Sequence, residues 1–152
     1  MFATEVEVSI RPMTEDDISS VMEIDRELTG EKRIATYANP VESYVGGTLS
    51  ASLVAETSGQ VVGFVLCRLA EPSGVPAISN ACIELIGVRL SAQRLGVGTA
   101  LIAKLLENCR MEKIQRLSFI ADRRDTVLQQ FFTSLGFQQG HHINYVVNLE
   151  QW

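Results

Sequence analysis

The run Gln93-Arg94-Leu95-Gly96-Val97-Gly98 places two glycines one residue apart at the mouth of an apolar-periodic stretch. Such a run commonly holds an anion: a nucleoside triphosphate, a dinucleotide or the pyrophosphate of coenzyme A. It can also be no more than a tight strand-to-helix corner. The triphosphate reading fails because a P-loop carries Lys and then Ser or Thr after its second glycine, and Thr99-Ala100 stands there. The dinucleotide reading fails because the third glycine would fall at Leu101 and repeated parallel βαβ units are absent. What remains is a helix start whose free N–H groups and dipole suit a pyrophosphate. A Cβ at Gly96 or Gly98 would obstruct close approach, and Arg94 can add a charge-assisted contact.

A second chemical signal lies just upstream, in Cys82-Ile83-Glu84-Leu85-Ile86-Gly87-Val88. Glu84 sits in an otherwise apolar strand pattern, where a buried carboxylate needs either a partner or a task. Cys67, Cys82 and Cys109 are odd in number and unpaired in spacing, so neither a disulfide framework nor a zinc site is expected. His141 and His142 have no Cys or acidic partner at ligand spacing, and no metal is expected.

These residues need elements to position them. Residues 5–11 alternate and read as a strand. Thr14 caps a helix with acidic residues at 15, 16 and 17, an apolar face of Ile18, Val21, Met22 and Leu28, and Gly30 at its end. Asn39, Pro40 and Glu42 signal a second, short helix that stops at Gly46-Gly47. Strands at about 52–56 and 61–69 flank Thr57-Ser58-Gly59-Gln60 as an antiparallel hairpin. Residues 71–80 read as a loop and about 81–89 as an apolar strand. A helix follows the glycine turn, with Gly98, Leu101, Ile102, Leu105, Leu106 and Cys109 on one face. Residues 116–121 read as a buried strand, Thr126 to Leu135 as a helix and 143–150 as a closing strand. The expected fold class is α/β (α+β): one mixed, partly antiparallel sheet flanked by helices, in a single domain spanning residues 1–152.

With strand, turn and helix in place, Gln93-x-x-Gly96-x-Gly98 after Ile86-Gly87-Val88 resembles the acetyl-CoA signature of the GCN5-related N-acetyltransferases (GNAT family). The element order and the later Phe131-Phe132-Thr133-Ser134-Leu135-Gly136-Phe137 extend the resemblance over nearly the whole chain. It implies a GNAT-like acyl-CoA N-acyltransferase fold with acetyl-CoA as co-substrate. Ile86, Gly87 and Val88 would lie where a strand splays from its neighbour, pairing their backbone with the pantetheine arm. Gln93, Arg94, Leu95, Gly96, Val97, Gly98 and Thr99 would wrap the pyrophosphate. Members of the family often dimerise, so a homodimer is implied as well.

Acetyl transfer to an amine requires removal of a proton from the ammonium, donors for the oxyanion and, where needed, a proton for the departing thiolate. The resemblance places a general base at Glu84 or at the position of Cys82, and backbone N–H near Val88 at the oxyanion. Glu84 has an alternative reading as a structural ion pair or a ligand to the substrate ammonium. Two positions depart from the family pattern: Phe132 stands where a tyrosine acid is usual, and Asp125 where an asparagine is. Phe132 has no proton to give, so either the thiolate leaves unaided, or water or another residue such as Tyr145 supplies the proton, or the protein is a weak or inactive catalyst; Tyr145 also reads as an ordinary packed residue. Asp25, Glu27 and Tyr44 are candidates for the acceptor pocket, each with the alternative of a solvated helix face.

Bulk composition agrees with this reading. Apolar residues are 46% and charged residues 20% of 152, ordinary for a folded soluble domain. The net charge of −5 is uneven: residues 1–80 hold 12 acidic and 5 basic side chains, and residues 81–125 hold 8 basic and 5 acidic. That disfavours broad nucleic-acid binding and suits an anionic ligand at the second half with a cationic one near the first. No apolar run is of membrane-spanning length and the N-terminus lacks a signal-peptide layout, so a cytoplasmic protein without membrane association is expected. The expected function is an acetyl-CoA-dependent N-acetyltransferase acting on an amine of a small molecule or of a peptide or protein. The alternative is a non-catalytic acyl-CoA-binding sensor or regulatory module.

Overall fold

A computed structural model describes residues 7–30, 51–73, 77–141 and 143–150. The chain forms two compact units, Met1–Ile120 and Ala121–Trp152. In the first, five strands lie side by side in chain order: β1 (Ser9–Pro12), β2 (Leu53–Thr57), β3 (Gln60–Ser73), β4 (Ile78–Val88) and β5 (Arg116–Phe119). The first three pairings are antiparallel and β4–β5 is parallel. The mixed sheet expected from the pattern is present. The helix expected at 39–47 and Tyr44 lie outside the described residues.

Local chemistry explains several boundaries. At the β2–β3 turn Ser58 has φ 50° and Gly59 φ 77°. Two consecutive left-handed residues are what a tight hairpin matched to strand twist requires. Before α1 (Ile18–Thr29) comes a short 3-10 turn, Glu15–Asp17. The Asp17 carboxylate accepts from the Thr14 N–H at 2.8 Å and from Arg11 Nη1 and Nη2 at 2.7 and 2.8 Å. This bidentate pairing with the guanidinium holds the buried Asp17 carboxyl below the usual carboxylate range, against the opposing effect of burial.

Neighbouring residues of a strand point to opposite faces, which decides where the helices go. A Cβ on Gly63 would come within 3.0 Å of Val97 Cγ1 of α2 (Val97–Met111), so this glycine lets α2 close onto the sheet. Phe64, the next residue, points to the other face and packs in the core with Val21 and Ile24 of α1. Across from Phe64, a Cβ on Gly87 would meet its ring at 2.7 Å. Among the described residues of the first unit, α2 therefore covers one face and α1 the other. Leu101, Ile102, Leu105 and Cys109 of α2 are buried as the helical spacing requires.

Four expectations are corrected. The hairpin of β3 and β4 continues to the pair Ser73–Ile78, well into the stretch read as a loop, because cross-strand pairing persists through it. β5 is half-buried and not buried, because it is the last strand of the sheet and only β4 pairs with it among the described residues. Residues 143–150 form no strand. They belong to the second unit and lie exposed, and among the described residues no strand pairs with them, so β-propensity alone does not make a strand of them. At the N-terminal end, β1 begins at Ser9 and not within 7–8, since among the described residues its pairing with β2 runs from Ser9–Glu56 to Pro12–Leu53; residues 5 and 6 lie outside the described residues.

In the second unit, α3 (Thr126–Ser134) is capped by Asp125, whose carboxylate accepts from the Leu128 N–H at 3.1 Å. Phe132 is buried and meets the rings of Phe131 and Phe137 edge-to-face, at 5.2 and 5.0 Å between centroids. No helix among the described residues is long and apolar enough to cross a membrane.

A candidate acyl-coenzyme site at the β4–β5 fork

The parallel pairing of β4 with β5 runs from Asn80–Arg116 to Ile83–Phe119 and stops. Beyond Ile83, β4 continues to Val88 paired only with β3 among the described residues. The strands part there, leaving one backbone edge of residues 84–88 without a strand neighbour. An extended polar chain with amide groups can pair with such an edge as an additional strand does.

The fork coincides with a defect in the β3–β4 ladder. Leu66 pairs with Leu85 and Cys67 with Ile83, so Glu84 is the extra residue of a β-bulge. Its side chain is exposed. The carboxylate that the apolar pattern had placed in a buried setting escapes burial because burial alternates along β4: Ala81, Ile83, Leu85 and Gly87 are buried, and Glu84 falls with Cys82, Ile86 and Val88 at the less covered positions. Cys82, half-buried, accepts from Asn80 Nδ2 at 3.1 Å, and its sulfur lies 3.6 Å from Ser118 Oγ across the parallel pair. Burial, and secondarily the neighbouring Cys109, Cys82 and Glu84, push the Cys67 thiol up to about 12, so this sulfur is not a nucleophile near neutrality.

From Val88 the chain turns through Leu90–Ala92 into α2. Gln93 Nε2 donates to the Val88 carbonyl at 3.0 Å, closing the turn on itself. The Arg89 N–H donates to the Val62 carbonyl at 2.8 Å and its Nε to the Val61 carbonyl at 3.1 Å, fixing the turn to β3. On the other side, Glu27 Oε2 accepts from the Leu90 N–H at 3.3 Å. Arg94 and Gly96 both have left-handed backbones, with φ 66° and 80°. Nothing lies within 4 Å of a Cβ built on Gly96, so open space faces the turn there.

The first helical bond of α2 runs from the Ala100 N–H to the Gly96 carbonyl at 2.9 Å. The N–H groups of Gly96, Val97, Gly98 and Thr99 therefore have no intrahelical acceptor. No side chain caps them, and the first turn carries no acidic residue. Arg94 is exposed beside them. The arrangement can receive a pyrophosphate on backbone donors and the positive helix end. Among the described residues no three His, Cys, Asp or Glu side chains form a group able to hold a metal.

Two further expectations are corrected. Asp25 is fully buried in α1 and is no part of a solvated helix face. Tyr145 is 88% exposed and is not a packed tyrosine. Glu27 is exposed and uses its carboxylate to hold the turn at Leu90. Asp25 lies one helical turn after the buried Val21 and beside the buried Ile24, a spacing that puts it on the covered side of α1.

The model of the acetyltransferase (GNAT) family matches residues 18–137. The chain belongs to that family. No curated protein sequence matches it. Among solved structures, it is similar to a transcriptional regulator from Bacillus halodurans C-125, with TM-score 0.79 and 19% identity over 93% of this chain and 100% of that one. It is also similar to a ribosomal-protein-alanine N-acetyltransferase from Brucella melitensis biovar Abortus 2308, with TM-score 0.72 and 18% identity over 94% and 99%. A third is the aminoglycoside N-acetyltransferase AAC(6')-Iy in complex with CoA, with TM-score 0.74 and 16% identity over 98% and 99%. At these identities the likeness establishes a shared GNAT fold.

Proposed function

We propose that this GNAT domain, spanning residues 1–152, transfers the acetyl group of acetyl-CoA to an amine of a small molecule or of a peptide or protein. The observation that carries the reading is the fork after Ile83–Phe119 leading into a turn with unsatisfied N–H groups at 96–99. When bound, the coenzyme supplies a thioester. The chain's own residues do the rest. The backbone of Ile86, Gly87 and Val88 pairs with the pantetheine arm, and an N–H near Val88 stabilises developing negative charge. Arg94, Leu95, Gly96, Val97, Gly98 and Thr99 surround the pyrophosphate. Gln93 belongs to the same site and contributes by holding the turn through the Val88 carbonyl.

Glu84, exposed on the bulge, accepts the proton of the incoming ammonium, directly or through water. Tyr145 is the donor assigned to the departing thiolate, a role for which Phe132 has no proton. An amine acceptor is supported by the family and by the amine acetyltransferases among the structural neighbours. The acidic excess of residues 1–80 favours a cationic one. Membership of the family favours the enzyme over a non-catalytic acyl-CoA-binding module. The protein is read as cytoplasmic and homodimeric, working without nucleic acid or membrane.

The test is turnover. Acetyl-CoA is offered with a panel of aminoglycosides, polyamines and peptides with free N-termini, and release of the coenzyme thiol is followed. Amine-dependent thiol release establishes the enzyme. Coenzyme binding without turnover for any amine leaves the binding module.

A further inference from the structure

Two carboxylates of α1 are turned onto the corner that leads into the coenzyme turn, where negative charge opposes a pyrophosphate. Glu23 and Glu27 are four residues apart and share one face of the helix. Glu27 Oε2 accepts from the Leu90 N–H at 3.3 Å, across 63 positions of sequence. Glu23 Oε1 lies 3.7 Å from Arg89 Nη1. Arg89 is itself tied to the Val61 and Val62 carbonyls, so the corner is held from the sheet and from α1 at once. Leu90 opens the 3-10 turn Leu90–Ala92, and its N–H has no acceptor within that turn. Leu28, the residue after Glu27, packs over the fork strand: a Cβ on Gly87 would come within 3.1 Å of Leu28 Cδ1. Two consecutive residues of α1 thus bear on Gly87 and Leu90, with Val88 between them.

We infer that Glu27 is a positioning residue of the coenzyme site: its carboxylate sets the Leu90 corner, and through it the donors that receive the coenzyme. The inference rests on the coenzyme reading of the fork and the turn. A carboxylate near a pyrophosphate costs affinity as a charge, so its benefit here is geometric. What the contact needs is an acceptor oxygen at that place, and glutamine retains one. The other half of the contact can be deleted separately. Arg89 has φ −50° and ψ 143°, the extended conformation favoured before proline, and Leu90 is the first residue of its turn. Leu90→Pro therefore removes the N–H while keeping the backbone path, and the side chain it replaces is 61% exposed.

The experiment uses the full chain, with acetyl-CoA affinity read by calorimetry and the melting temperature beside it. The variants are Glu27→Ala, Glu27→Gln, Leu90→Pro and the double variant Glu27→Ala/Leu90→Pro. Glu27→Ala and Leu90→Pro are each expected to weaken binding roughly three- to ten-fold, and the double variant no further than either alone. Glu27→Gln is expected to bind as the parent does. All four melt close to the parent, since Glu27 and Leu90 are exposed. A Glu27→Ala variant with parental affinity overturns the positioning role and leaves the coenzyme site standing. So do additive losses in the double variant, a Glu27→Gln variant as weak as Glu27→Ala, or one that binds more tightly than the parent, which would make Glu27 a repelling charge. A parent protein that does not bind acetyl-CoA overturns this inference together with the coenzyme reading.

Discussion

The side-chain amide of Gln93 donates to the carbonyl of Val88, five residues earlier, at 3.0 Å. The glutamine of the coenzyme signature thus braces the turn that presents the N–H groups of α2. Replacing it with leucine removes one hydrogen bond, with a net value of about 1 kcal/mol. Gln93→Leu is expected to weaken acetyl-CoA binding roughly five-fold while leaving kcat close to the parent value. Calorimetry with steady-state kinetics reads the split. A fall confined to kcat contradicts the bracing role.

Gly96 separates charge from backbone strain. Its φ of 80° disfavours any L side chain, but asparagine and aspartate both tolerate this region and no atom stands in the way. Gly96→Asn and Gly96→Asp should therefore fold about equally well. Only the aspartate sets a carboxylate against the pyrophosphate. Acetyl-CoA affinity is expected to fall at least tenfold further for Gly96→Asp than for Gly96→Asn, roughly 1.4 kcal/mol or more. Equal affinities in calorimetry remove the anion from this turn.

Glu84 is exposed on a bulge, so Glu84→Gln is expected to change stability by no more than about 0.5 kcal/mol. If it is the sole base, kcat falls by roughly 10²–10⁴. The deficit shrinks at high pH, where more of the acceptor amine is already neutral. Coenzyme affinity stays as in the parent. Undiminished turnover at neutral pH would transfer the proton to another group.

Asp17 makes the fold sensitive to acid. The Arg11 guanidinium, followed by the Thr14 N–H, keeps its folded pKa below the reference value of 3.8. A depressed folded pKa contributes stability above the unfolded value, and that contribution is lost as pH falls through the folded one. The melting temperature of the parent should decline from about pH 4 downward on this account. Asp17→Asn should cost about 1–3 kcal/mol at pH 7, because Arg11 loses a charged acceptor. Its melting curve should approach the parent's toward the bottom of that range. A constant gap at every pH would place the effect in packing.

The sequence by itself determined what depends on nearest neighbours along the chain. Ser58-Gly59 made a hairpin turn, Gly96 and Gly98 marked a helix start with unpaired donors, and the spacing of Leu101, Ile102 and Leu105 defined the buried face of α2. These are properties of φ preference, missing Cβ atoms and helical period, and they travel with the residues. Tertiary structure decided the rest. Glu84 is in the open because the helices that cover the sheet leave its position on β4 less buried than those of Ile83 and Leu85, which an apolar run does not reveal. The fork exists because β5 stops at Phe119 while β4 runs on to Val88. Asp25 is buried although its neighbours Arg26 and Glu27 are exposed, which a charge pattern does not reveal. Residues 143–149 have every local quality of a strand and form none, because a strand is completed by a partner that its own residues do not supply.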